Sequence, residues 1–176
     1  MPVRLSDVFP LVSARYHEVT GTGAFSFASI CCGTTTGMTL WFVERWVREG
    51  INPMGLQRYC DPHRVLIGKC NDAADVLAAT EPLSLTAGRR LQLAAEAGAA
   101  TGLMIVRDGM GSNATQTRWQ VSPVFSPDDS TQMRWSLNKN KSGTKMNWDI
   151  RWDEKARRVS VVSEDVQRIG SSQAAS

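Results

Sequence analysis

Long apolar runs are missing from this sequence. The longest, such as Leu40–Val43 and Leu103–Val106, fall far short of the roughly 20 residues that a helix needs to cross a bilayer. No charged-then-apolar leader opens the chain, so it reads as cytoplasmic, with no membrane partner. Histidine is nearly absent, at two residues, and the four cysteines stand at 31, 32, 60 and 70. An adjacent pair and two isolated thiols make a poor disulfide framework and contain no C-x-x-C metal spacing. No zinc or iron site is expected, and the thiols read as small core hydrophobes. No segment repeats.

The absence with the largest consequence is one lysine. Arg15 to Gly33 reads as a short strand (Tyr16 to Val19), a Gly-containing turn (Thr20 to Gly23) and a small-residue helix from Ala24 that stops at Gly33. That is the layout of a phosphate-binding loop. A working loop needs G-x-x-x-x-G-K-[ST]: glycines let backbone N–H groups wrap the phosphates, the lysine reaches the outer phosphates and the hydroxyl holds Mg²⁺. Counted from Gly21, those last three positions are Ser26, Phe27 and Ala28. A phenyl ring offers nothing to balance a triphosphate. The loop is therefore degenerate, a structural turn with no nucleotide or other cofactor expected on it.

What is present is ordinary globular material: 42% hydrophobic and 21% charged residues in 176, enough for one domain with its own core. The net charge of +3 is uneven. Residues 84–162 hold twelve Lys or Arg against seven Asp or Glu, whereas residues 1–83 hold seven against eight. A basic second half is compatible with nucleic-acid phosphates, although basic strands are commonly just solvated faces.

Read in order, residues 1–14 form a short helix or partner-binding arm, interrupted by Pro10. Thr39–Glu44 is a continuous apolar, β-rich run, the pattern of a strand buried on both faces, and Arg64–Gly68 is a second. Between them Asn52-Pro53 starts a helix over Met54–Tyr59. Asn71 caps a helix over Asp72–Thr80; another spans Ala87–Ala97, with Leu91, Ala94 and Ala95 inward, Arg89, Arg90 and Glu96 in solvent, and Gly98 closing it. Thr101–Val106 is a further buried strand. This alternation predicts right-handed crossovers and a largely parallel sheet. Beyond Arg107 a Gly-rich polar loop precedes four stretches of period two, Thr117–Val121, Gln132–Leu137, Met146–Trp152 and Arg157–Val162, with Trp119, Val121, Trp135, Leu137, Trp148, Ile150 and Trp152 inward. These predict an antiparallel extension, followed by a frayed tail from 163 or 164 to 176.

Three ordered pieces carry a resemblance. The most specific is Leu85-Thr86-Ala87-Gly88-Arg89-Arg90-Leu91-Gln92-Leu93-Ala94-Ala95-Glu96, followed by Thr117-Arg118-Trp119 and Met146 to Asp153. The second is His17-Glu18-Val19-Thr20-Gly21. The third is Leu40-Trp41 with Ile51 to Leu56 and Asp61 to Leu66. Together, over about residues 15–162, they resemble the RecA-related ImuA accessory family of inducible (SOS) mutagenesis, which shares a branch with the SulA-type proteins. The resemblance implies a RecA-like three-layer α/β sandwich, a non-catalytic role in translesion DNA synthesis, and partners that include the Y-family polymerase-like protein ImuB, RecA, an error-prone replicative-type polymerase and DNA. Association with the nucleoid would accompany activity.

The same likeness assigns contacts. Leu137 to Lys141 is similar to the RecA segment whose two lysines approach a neighbour's nucleotide phosphates, here Lys139 and Lys141, and the Gly109 to Thr115 loop, with Asn113, sits where RecA carries a mobile DNA-contacting loop. Arg89, Arg90 and Arg118 complete the expected DNA or partner contacts. Against these stand plainer readings: turn-flanking charges for the lysines, a solvated helix face for Arg89 and Arg90, and sheet core for the tryptophans. One departure is plain. Only Glu81-Pro82-Leu83-Ser84 separates the two central helices, too short to hold the strand that the family places there, so the sheet is expected to be one central strand short. Other functional readings are a weak ATPase with a non-standard site, a SulA-like inhibitor of cell division, and a nucleophile at Cys31 or Cys32.

Overall fold

The period-two alternation of tryptophans with polar residues builds the main body of the protein. The computed structural model describes residues 4–44, 51–70, 89, 92–93, 95–106, 114–127, 131–141, 143 and 145–166. Within them run β1 (Tyr16–Thr20), α1 (Ala24–Thr34), β2 (Thr39–Glu44), α2 (Pro53–Leu56), β3 (Val65–Cys70), β4 (Gly102–Ile105), β5 (Thr117–Val124), β6 (Gln132–Asn140), β7 (Met146–Asp153) and β8 (Arg158–Val166). Single 3₁₀ turns form at Leu5–Asp7 and Pro62–Arg64. Further helical residues lie at 89, 92, 93 and 95–97. The helix expected over Asp72–Thr80 lies outside the described residues.

The architecture is mixed α/β. A six-stranded sheet has the order β4-β1-β5-β6-β7-β8. Its first three strands are parallel, with Val19 opposite Ile105 on one side and Trp119 on the other; β5 through β8 are antiparallel. The sheet is thus mixed, with two parallel and three antiparallel pairings, and the antiparallel extension expected from Thr117 onward is present in β5 through β8. The parallel pair β2 and β3 forms a sheet of its own, with Leu40 opposite Leu66 and Phe42 opposite Gly68. Among the described residues no strand joins that pair to β4.

That separation overturns the expectation that β2 and β3 are buried on both faces. Leu40, Phe42, Leu66 and Ile67 are all exposed, Leu40 by 60%. A continuous apolar run suits a strand with neighbours and helices all round it, and here the larger sheet is not alongside. β4 is likewise only partly buried, with Met104 its one buried residue.

The core lies under one face of the large sheet. Val19, Trp119, Val121, Met133, Trp135, Leu137, Met146, Trp148, Ile150 and Trp152 pack against Ala24, Phe27 and Ile30 of α1 and against Leu5, Val8 and Phe9. Every inward position expected from the alternation is buried. The last three residues bring Leu5 to Phe9 of the N-terminal segment into the core. Phe9 meets Trp135 edge-on at 4.9 Å and Phe27 at 6.0 Å.

Two helix ends differ from expectation. Helix α1 continues through Gly33 to Thr34, and the hydroxyls of Thr34 and Thr35 take up the carbonyls of Cys31 and Cys32 at 2.9 and 3.1 Å. Gly33 is there because a Cβ would collide with the Tyr59 carbonyl oxygen. The second helix turns out at Ala99, not at Gly98. Ala99 has φ of 49°, and the Ala99 and Ala100 amides donate to the Glu96 and Ala95 carbonyls at 3.2 and 3.0 Å. Strand β8 runs to Val166, so residues 164–166 belong to the sheet and not to a tail. The N-cap of α2 is as read: Asn52 accepts from the Met54 amide at 3.0 Å.

Candidate functional site

The turn between β1 and α1 has the layout on which ligand chemistry would be expected, and three of its amides are engaged within the fold. The Gly23 amide donates to the Val121 carbonyl at 2.9 Å, the Ala24 amide to Gly21 at 3.1 Å and the Phe27 amide to Gly23 at 3.0 Å. Gly21 has φ of 91°, and a Cβ there would strike the Val121 carbonyl oxygen; one on Gly23 would strike the Val121 side chain. These two glycines let the turn lie flat on β5.

Phe27 confirms the point from the side-chain end. It is fully buried, with its ring 5.4 Å from Trp119 and edge-on to Trp135 at 4.7 Å. The position that carries the ammonium in a working loop therefore points into the core. Ala28 is buried beside it and Ser26 is half-buried.

A second constellation, not foreseen in the sequence, sits on β1. Successive strand residues face opposite sides, and all five of β1 are buried. On the core side, His17 Nε2 meets the Val12 carbonyl at 3.0 Å and Nδ1 meets Thr117 Oγ1 at 2.7 Å; Thr117 Oγ1 also accepts from Trp119 Nε1 at 2.9 Å. A carbonyl can only accept, so Nε2 carries the hydrogen and Nδ1 accepts from the Thr117 hydroxyl. Burial holds the His17 pKa below its usual value, opposed only in part by the Val12 carbonyl. The ring is a satisfied neutral core histidine.

On the other side lies Glu18, fully buried. Its Oε1 accepts from the Tyr16 hydroxyl and its Oε2 from Arg118 Nε, each at 2.9 Å. Burial, followed by the Glu18 charge, pushes the Tyr16 hydroxyl well above its ordinary range. Arg118, whose side chain is 26% exposed, is the solvent end of this pair. The two adjacent polar residues in a short strand were a visible signal. What could not be seen was their partners, about a hundred residues further on.

Three of the expected contact residues come together here. Lys139 stands directly opposite Arg118 across β5 and β6, so two cations are cross-strand neighbours, an arrangement that is unfavourable unless an anion balances it. Burial first, then the charges of Arg118 and Lys141, lowers the Lys139 pKa, and Glu18 pulls the other way. Lys141 donates from Nζ to the Ala114 carbonyl at 2.9 Å and from its amide to Gln116 at 3.1 Å. The plainer reading of the lysines as turn-flanking charges needs amendment, since β6 continues through Asn140 and Lys139 is a strand residue. Arg89 is exposed on a different element, and Arg90 and Asn113 lie outside the described residues.

Burial is the leading cause that raises the thiols of Cys31, Cys32 and Cys60, the last to about 11, which disfavours the thiolate a nucleophile at Cys31 or Cys32 would need. Among the described residues no group of three His, Cys, Asp or Glu could hold a metal ion, and no helix is long and apolar enough to cross a membrane.

Fold and geometry together define a mixed α/β protein in which a strand, turn and helix pack against β5 through Val121, beside a group of cations of which Arg118 pairs with the buried Glu18 carboxylate. In comparison with known proteins, the chain matches no family model and no curated protein.

Proposed function

We propose that this protein is a non-catalytic, RecA-like accessory factor of damage-induced translesion synthesis, which brings an ImuB-type polymerase-like partner, RecA and an error-prone replicative-type polymerase to damaged DNA. The observation that carries this reading is the self-bonded turn. Three of its amides are hydrogen-bonded within the fold and its would-be lysine position, Phe27, is buried in the core, which supports recruitment over turnover. The finer form of the fold under this reading is the RecA-like sandwich, supported by β1 lying between two parallel strands and by α1 folding back over them.

DNA is met in this proposal by Arg118, Lys139 and Lys141. Glu18 fixes the Arg118 guanidinium from beneath, so part of the ordering cost is already met before any phosphate arrives. Backbone contacts release counterions, so affinity for single-stranded DNA should fall steeply between low and moderate salt. Co-purification of defined components is the direct test: the protein is expected to hold the ImuB-type partner, and failure to associate with it under any salt condition overturns the reading. Magnesium-ATP titrated into the protein should give no binding heat. Measurable heat that disappears in Lys139→Ala or Lys141→Ala would favour the weak-ATPase reading in its place.

A further inference from the structure

A groove of ≈ 460 Å³ opens between α2 and the turn that joins β7 to β8, lined by Met54, Gln57, Arg58, Glu154, Lys155 and Arg157. We propose that it docks an acidic, apolar-flanked peptide segment of a partner protein. This goes beyond the reading above and does not require it, and the groove shares no residue with the Arg118, Lys139 and Lys141 cluster.

The walls are held from several sides. Trp152 Nε1 donates to the Arg58 carbonyl at 3.1 Å, and the Tyr59 ring stacks on Trp152 at 5.8 Å. The backbone at Gly33 presses on the Tyr59 carbonyl from behind. Opposite, Asp153 accepts from the Ala156 amide at 2.8 Å and Arg157 has a φ of 47°, which sets the course of the hairpin turn. Arg58 and Glu154 bridge the two walls at 3.1 Å. The surface is therefore preformed, which lowers the ordering cost of binding.

Its chemistry selects the occupant. Three cations face one carboxylate, and that carboxylate is already paired with Arg58. Among the described residues, Lys155 and Arg157 make no ion pair. Met54 is 74% exposed at the rim, an apolar contact beside the charges. A nucleic-acid track fits less well: among the described residues no aromatic side chain lines the groove to stack a base. Carboxylates against Lys155 and Arg157, with an apolar side chain on Met54, use every feature present.

The test uses the full chain and a fluorescein-labelled peptide of glutamates interspersed with leucines, followed by anisotropy. A peptide with glutamine in place of glutamate and a labelled oligo-dT serve as comparison probes. The acidic peptide is expected to bind and the glutamine peptide not. Two reversed exposed charges should weaken the acidic peptide about tenfold in Lys155→Glu with Arg157→Glu, each exposed ion pair being a small contribution. The milder Lys155→Gln with Arg157→Gln variant should lie between, and near-ultraviolet circular dichroism of the tryptophan core must match the parent. Acidic-peptide affinity unchanged in the folded reversal variant overturns the proposal. So does oligo-dT binding that depends on Lys155 and Arg157 while the acidic peptide fails to bind.

Discussion

Phe27 is where the chemistry of the chain is decided. Its ring closes an aromatic group with Phe9, Trp119 and Trp135 at centroid distances of 6.0, 5.4 and 4.7 Å. Cutting it back in Phe27→Ala leaves a void in a close-packed region and should cost about 3–5 kcal/mol, read as the shift in a urea unfolding midpoint. Phe27→Lys restores the side chain of a working loop and should fail to restore nucleotide binding, because the position faces the core. His17 gives a prediction of a different kind. Its folded pKa is depressed, so the unfolded chain takes up a proton more readily. The stability it contributes is complete above the unfolded value of about 6.5 and is lost as pH falls from there through the folded value. Unfolding free energy measured from pH 8 to pH 5 should decline over that window in the parent and decline less in His17→Gln.

Strands and helices show how far local pattern reaches. The four antiparallel strands were legible because Trp119, Trp135, Trp148 and Trp152, with Val159 and Val161 in β8, alternate with polar residues, and a period of two has few other solutions. The start of α2 was legible because Asn52-Pro53 carries both a cap and a preset φ. What escaped was everything set by distant neighbours. The strength of β2 and β3 as apolar runs says nothing about whether a further strand lies alongside. Gly33 looks like a helix stop until Tyr59 is placed against it. The pairing of His17 with Thr117 spans 100 residues. The strand, turn and helix layout was legible in the sequence, but the burial of Phe27 and the close approach of the turn to Val121 needed the fold. Ala99 offers an element-scale check. An L-residue with a side chain pays to sit at φ of 49°, whereas glycine does not. Ala99→Gly should therefore stabilise the protein by about 1 kcal/mol in chemical denaturation, while Gly98→Ala should change little, since Gly98 is not the left-handed residue.

At the scale of the whole molecule the division into two sheets matters most. The large sheet has the aromatic core under it, whereas the β2 and β3 pair leans on a small cluster of Cys32, Leu56 and Cys60 with Trp41, Ile51 and Val65. Fewer buried apolar contacts mean a lower free energy of local opening. Amide hydrogen exchange should therefore run faster in Thr39–Glu44 and Val65–Cys70 than in Thr117–Val124 and Met146–Asp153, and uniform protection across both sheets would contradict this. The same division has an optical consequence. Trp119, Trp135, Trp148 and Trp152 all lie in the large sheet, so blue-shifted emission reports chiefly on that body. That buried band can thus stay steady while the smaller pair loosens and Trp41 of β2 changes its own emission, and a mismatch between the buried band and the exchange signal would itself measure how independently the two parts come undone.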